Sequence, residues 1–198
     1  AEETVDDGAD VPVCVPTGAE VCDGVDNDCD GSTDEGLWCV VNNPLTGSDL
    51  YAVWGFSRTD AWAAGADGTV LHWNGREWER ERLDETSASL TDVWGLAAGS
   101  IWVVGDAGTI LRRDGDTWSR LDSGTTLWLA AIWGSGPADI WAVGARETIL
   151  HWDGGAWRVA HEGEGFAPPT LNSIWGTGPN DVWAVGQEGT TLHWDGAS

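Results

Sequence analysis

From residue 50 onward the chain alternates short apolar runs with breaks that contain Gly, Asn or Asp. The runs are five or six residues long and rich in Trp, Val and Ile, the length and composition of β-strands. They recur in a fixed order. A run ending in Trp-Gly (Val53-Trp54-Gly55, Val93-Trp94-Gly95, Ile132-Trp133-Gly134, Ile174-Trp175-Gly176) is followed by one like Asp139-Ile140-Trp141-Ala142-Val143-Gly144. Next comes a run like Thr148-Ile149-Leu150-His151-Trp152, and last a run opened by Trp78, Trp118 or Trp157. Trp54, Trp94, Trp133 and Trp175 stand 40, 39 and 42 residues apart, so residues 50–89, 90–128, 129–170 and 171–198 are four repeats. Asn74-Gly75, Asp114-Gly115, Asp153-Gly154 and Asp195-Gly196 are hairpin signals, because these residues tolerate the positive φ of a tight turn.

Within each strand Leu, Val or Ile alternates with Trp rather than with charge, so both faces are apolar and both must be covered. Radially stacked, four-stranded antiparallel blades meet that demand, and a period of about 40 residues suits one blade. The expectation is an all-β fold, a four-bladed β-propeller over residues 37–198; a solenoid of stacked hairpins is the competing geometry. The last repeat stops where its fourth strand should begin. Gly36-Leu37-Trp38-Cys39-Val40-Val41 matches Gly155-Ala156-Trp157-Arg158-Val159-Ala160, so a strand at 37–41 is expected to supply the missing piece and complete the ring. Closure within its own chain is the expected choice; exchanged, the strand would complete a neighbour's open blade and build filaments, and the third alternative is that the chain is a fragment of a larger ring.

Residues 1–36 form a separate acidic segment, with twelve carboxylates and no Lys, Arg or His. The whole chain has 33 acids against nine basic residues, a net charge of −24. Such a surface repels phosphate, which excludes nucleic acid as a partner. No apolar run is long enough to insert in a membrane as a helix. The start at Ala1-Glu2-Glu3, without Met, is expected to be a mature end left by signal cleavage. Four cysteines within residues 14–39 fit a disulfide framework made in an oxidising compartment, so the protein is expected to be secreted, extracellular or at the cell surface. Of the three possible connectivities, the nested one, Cys22–Cys29 inside Cys14–Cys39, is the expected choice. A zinc site of all four is disfavoured, because no two cysteines are separated by just two residues.

The acidic segment also holds the candidate metal chemistry. Asp26, Asp28 and Asp30 alternate and Gly31 follows, the opening of an EF-hand-like calcium loop; Ser32, Asp34 and Glu35 extend the oxygen donors. Calcium is the expected cofactor. The run Glu20-Val21-Cys22-Asp23-Gly24-Val25-Asp26-Asn27-Asp28-Cys29-Asp30-Gly31-Ser32-Thr33-Asp34-Glu35-Gly36 closely resembles the metal-binding motif of bacterial surface proteins, a family that includes an outer-surface copper-binding protein. The resemblance implies copper as a second possibility, although copper prefers softer N or S donors. The repeats resemble the Trp-Gly/Asp-Val-Trp-Ala-Val-Gly/His-Trp-Asp-Gly blades of large secreted bacterial proteins, a likeness that implies fold more than function.

Nothing in the chain suggests catalysis. Tyr51 is the lone tyrosine, and the arginines do not recur at inner-strand positions as a sialidase-type triad would need. His72, His151 and His193 share one position in three repeats, with Arg112 in the other; spread around a ring they cannot converge on a metal and are expected to stack or hydrogen-bond. Asp60, Asp139 and Asp181, which open second strands, are expected to cap turns. The expected function is structural or adhesive, with self-association or a cell-surface or matrix partner. The alternative is a ligand- or glycan-binding module, for which Trp128, the one tryptophan outside the repeat pattern, is the candidate contact.

Overall fold

The structure, a computed structural model, describes residues 14–22, 25–33, 36, 38, 46–83 and 86–197. The chain forms two compact units, Ala1–Asn43 and Pro44–Ser198. Blade 1 consists of β1 (Leu50–Ser57), β2 (Asp60–Gly65), β3 (Thr69–Trp73) and β4 (Trp78–Arg80). Blade 2 consists of β5 (Leu90–Ala97), β6 (Ser100–Gly105), β7 (Ile110–Asp114) and β8 (Thr117–Leu121). Blade 3 consists of β9 (Leu129–Gly136), β10 (Asp139–Gly144), β11 (Ile149–Trp152) and β12 (Trp157–His161). Blade 4 has β13 (Leu171–Gly178), β14 (Asp181–Gly186) and β15 (Thr191–Trp194). Each blade is an antiparallel meander in chain order, as the repeat predicts.

The register puts tryptophan opposite tryptophan on the first two strands: Trp54 faces Trp62, Trp94 faces Trp102, Trp133 faces Trp141 and Trp175 faces Trp183. In blade 2, Ile101, Trp102, Val103 and Val104 are all buried, so both faces of the strand are covered, as its composition demands. The cover comes from the neighbouring blades, since β1 packs on β5, β5 on β9 and β9 on β13. Three apolar clusters fill the spaces between successive blades.

Among the described residues no comparable packing joins β13 to β1, and β15 is the outer strand of its sheet. The four blades therefore form an open series with two unlike end faces. The strand expected at 37–41 falls largely outside the described residues. Its central residue, Trp38, is described and is fully exposed, at 102%, whereas Trp157 at the position it was matched to is 7% exposed.

Candidate metal centre

The acidic loop is organised by carboxylates that accept hydrogen bonds from its own backbone. Asp26 takes the Cys29 N–H on Oδ1 at 2.6 Å and the Gly31 N–H on Oδ2 at 3.0 Å. Asp28 Oδ1 accepts from Asp30 N at 3.1 Å, and Asp30 Oδ1 from Ser32 N at 2.8 Å. Glu20 Oε1 accepts from Asp28 N at 2.7 Å. Asn27, 8% exposed, pins the other side: its Oδ1 accepts from Val21 N at 3.0 Å and its carbonyl from Thr17 N at 2.9 Å. Short polar side chains that bond backbone one to five residues away favour a tight turn over helix or sheet. Gly31, at φ 96°, supplies the bend.

Glu20, Asp26 and Asp28 each bring a carboxylate oxygen within 4.8 Å of the others. Two of these three were read from the alternating aspartates; Glu20, six residues upstream, was not. It stands at the first residue of the family-like run, which was the available signal. Asp30 and Ser32 lie on the same turn but outside this trio, and Asp34 and Glu35 lie outside the described residues. The trio consists of hard oxygen donors that repel one another and favour a compact cation between them. The histidines all lie in the blades, and the described cysteines are disulfide-bonded, so the loop's described side chains present oxygen rather than the N or S donors that suit copper.

The disulfide differs from the nested expectation. Cys14 pairs with Cys29; Cys22 is also disulfide-bonded, and Cys39 lies outside the described residues. The reason is the turn itself. With Asn27 and Glu20 drawing residues 20 and 21 against residues 27 and 28, and Cys29 in the left-handed region at φ 65°, the Cys29 sulfur meets Cys14.

In the blades, the aligned histidines have the structural role expected of them. His72 stacks on Trp62 at 4.1 Å, His151 on Trp141 at 4.0 Å and His193 on Trp183 at 3.9 Å. One aspartate oxygen holds both rings of each pair. Asp60 Oδ1 lies 3.0 Å from Trp62 Nε1 and 3.0 Å from His72 Nε2. The same bonds are 2.9 and 2.8 Å at Asp139, and 2.8 and 2.9 Å at Asp181. These aspartates fasten the tryptophan ladder in addition to opening their strands. The Asp181 carboxyl is held below the usual carboxylate range by the Thr177 hydroxyl, then by His193 and Trp183. Blade 2 replaces both partners together, with Ser100 for the aspartate and Arg112 for the histidine, and the guanidinium lies 5.2 Å over Trp102.

Trp128, the tryptophan outside the repeat, is 37% exposed, and its carbonyl accepts a hydrogen bond from Ala145 N at 2.9 Å. A cleft of about 790 Å³ lies between blades 3 and 4, lined by Trp141, His151, His161, Leu192, His193 and Trp194. One blade earlier, Trp102 meets both Trp152 and Trp157, at 5.4 and 5.8 Å, while Trp141 meets Trp194 at 5.8 Å. The cleft thus marks the place where a fourth strand of blade 4 would lay its tryptophan.

The family model described as a "Putative metal-binding motif" (Cu-binding_MopE) matches residues 12–35, the span that holds the trio and the Cys14–Cys29 bridge. No curated protein matches the chain. Among solved structures it is similar to YCF48 from Cyanidioschyzon merolae, with a TM-score of 0.62 and 16% identity, covering 74% of this chain and 51% of that one. A structure of YCF48 bound to D1 peptide is similar at a TM-score of 0.49 and 14% identity, covering 83% of this chain and 70% of that one. The first likeness shows the propeller fold, and this chain spans about half the length of that protein.

Proposed function

We propose that this chain is a secreted, extracellular, non-catalytic structural or adhesive module whose acidic loop takes up calcium. One observation carries the reading: the polar side chains that recur at aligned positions in the blades are engaged in holding the tryptophans. The three aligned Asp–His pairs each hold a tryptophan, and the arginine of blade 2 covers the fourth. What remains is a rigid scaffold and, in the other unit, a carboxylate trio in a disulfide-bonded turn. Calcium joins those oxygens without needing nitrogen or sulfur, and extracellular modules commonly bind it at about 10⁻⁴–10⁻³ M.

Titration calorimetry on the full chain tests this. Calcium is expected to bind once per chain, with copper(II) failing to displace it. Asp28→Ala should abolish the uptake and leave thermal unfolding of the blades unchanged, because each unit has its own contacts. Absent calcium uptake, or copper bound in preference to calcium, would sink the proposal.

A further inference from the structure

Among the described residues of the first unit, Asn27 is the one that is buried; its neighbours in the turn are half-buried or exposed. A side-chain amide rather than an apolar group therefore stands at the centre of this turn. What it holds is backbone. Its Oδ1 accepts from Val21 N at 3.0 Å, and its carbonyl accepts from Thr17 N at 2.9 Å. Two points on the upstream arm are thus tied to one residue of the turn. Losing the amide would leave the Val21 N–H without this acceptor, the costly half of a broken hydrogen bond.

The carboxylates around Asn27 need such a clamp. Asp26 and Asp28 flank it in sequence and belong to the turn, whereas Glu20 comes from the upstream arm, next to Val21. The three bring carboxylate oxygens within 4.8 Å of one another. Like charges so close repel, and an unfastened arm would carry Glu20 away. The Glu20 carboxylate adds its own tie by accepting from Asp28 N at 2.7 Å. Asp26 is committed to the turn through Cys29 N and Gly31 N. Glu20 is therefore the member of the trio whose place depends on a contact between distant residues.

We infer that Asn27 is a positioning residue of the metal centre, acting through Glu20: by fixing Val21 it holds the third carboxylate beside Asp26 and Asp28. It is given no role as a ligand, because its Oδ1 and its carbonyl oxygen both serve backbone N–H groups. The inference rests on the reading of this loop as a calcium site and adds how a ligand from outside the turn is recruited. Calcium gathers six to eight oxygens, and each one held in place beforehand need not be ordered when the ion binds. Removing a residue that orients a metal ligand in this way costs about 10–100-fold in affinity.

An NMR titration of the full chain with calcium chloride, followed at the Asp28 and Gly31 amides, tests this through a double-mutant cycle. Asn27→Ala and Glu20→Gln should each weaken calcium binding by about tenfold or more. Asn27→Ala made in the Glu20→Gln chain should weaken it by less than about twofold further, because the group that Asn27 positions is already gone. A residue that merely keeps the turn folded would lower affinity by the same factor in both backgrounds. That additivity would overturn the inference, as would Asn27→Ala binding like wild type. Should the alanine variant fail to form its disulfides, amide exchange in the wild type decides. In calcium-free protein the Val21 and Thr17 N–H groups should already exchange about tenfold or more slowly than in an unstructured chain, since the clamp precedes the ion. Exchange there at the unstructured rate would overturn the inference too. A wild type that takes up no calcium would remove both this inference and the reading beneath it. A wild type that binds calcium without coupling between Asn27 and Glu20 would remove the inference alone.

Discussion

Asp92 is a half-buried carboxylate between two blades, in a position where blades 1, 3 and 4 carry Ala52, Ala131 and Ser173. Its Oδ1 accepts from Val93 N at 2.9 Å and its Oδ2 from Ile132 N in blade 3 at 2.8 Å. Burial outweighs these two hydrogen bonds and pushes its pKa up to about 6. An unfolded aspartate titrates near 3.9, so the folded state binds the extra proton between the two values. The stability that Asp92 contributes is therefore fully present below about pH 4 and is lost as pH rises through 6. Asp92→Asn removes this dependence. The variant should gain about 3 kcal/mol on the wild type between pH 4 and pH 7, following the shift at about 1.4 kcal/mol per pH unit. Denaturant midpoints for both proteins across that range measure it, and parallel profiles would show that Asp92 does not titrate this way. Nothing in the strand pattern singles out Asp92, because its partner across the blades, Ile132, lies 40 residues on. The Asp–His–Trp units were more legible. Asp60 and His72, Asp139 and His151, and Asp181 and His193 are each twelve residues apart, a spacing that survives from repeat to repeat.

At the scale of the strand, glycine is required where two backbones cross. Gly105, Gly144 and Gly186 end the second strands, and a Cβ on any of them would collide with the carbonyl oxygen of Ser89, Trp128 or Thr170. The following residue then donates to that same carbonyl, as Ala145 N does to Trp128 O at 2.9 Å. Gly144 has φ −174°, which any residue can adopt, so the requirement is space rather than conformation. Gly144→Ala should cost about 1–3 kcal/mol, the usual range for overpacking. Gly155→Ala, with its nearest neighbour at 3.5 Å, should be near neutral, and urea melts of the two would check the contrast. Strand identity, order and hairpin pairing were legible because Trp, Val and Gly recur at fixed offsets in every repeat. The end of the series was not, since a repeat encodes the contact between neighbours and says little about where the row closes. Disulfide pairing escaped for a related reason. Four cysteines allow three connectivities, and the choice was made by Asn27, Glu20 and a left-handed Cys29, whose effect appears only once the turn is folded.

For the propeller unit as a whole, stability should vary along the row of blades. Among the described residues each blade packs chiefly on its neighbours, so the unit behaves as a nearly one-dimensional stack, with interior blades held on two sides. The burial follows that rule. Trp62, Trp102 and Trp141 are at most 5% exposed, while Trp183, their counterpart on blade 4, is 43% exposed. At the other end β4 is only three residues long, with its last two residues exposed. Native-state hydrogen exchange should therefore show β6 and β10 as the slowest strands, opening only with global unfolding, and β4 and β15 as the fastest. Trp102→Ala should cost about 3–5 kcal/mol and speed exchange in blades 2 and 3 together, since its buried indole fills the space between them. Uniform protection along the row at low concentration would mean that the end faces are already covered within a single chain, and the nearest-neighbour account of this fold would then fail.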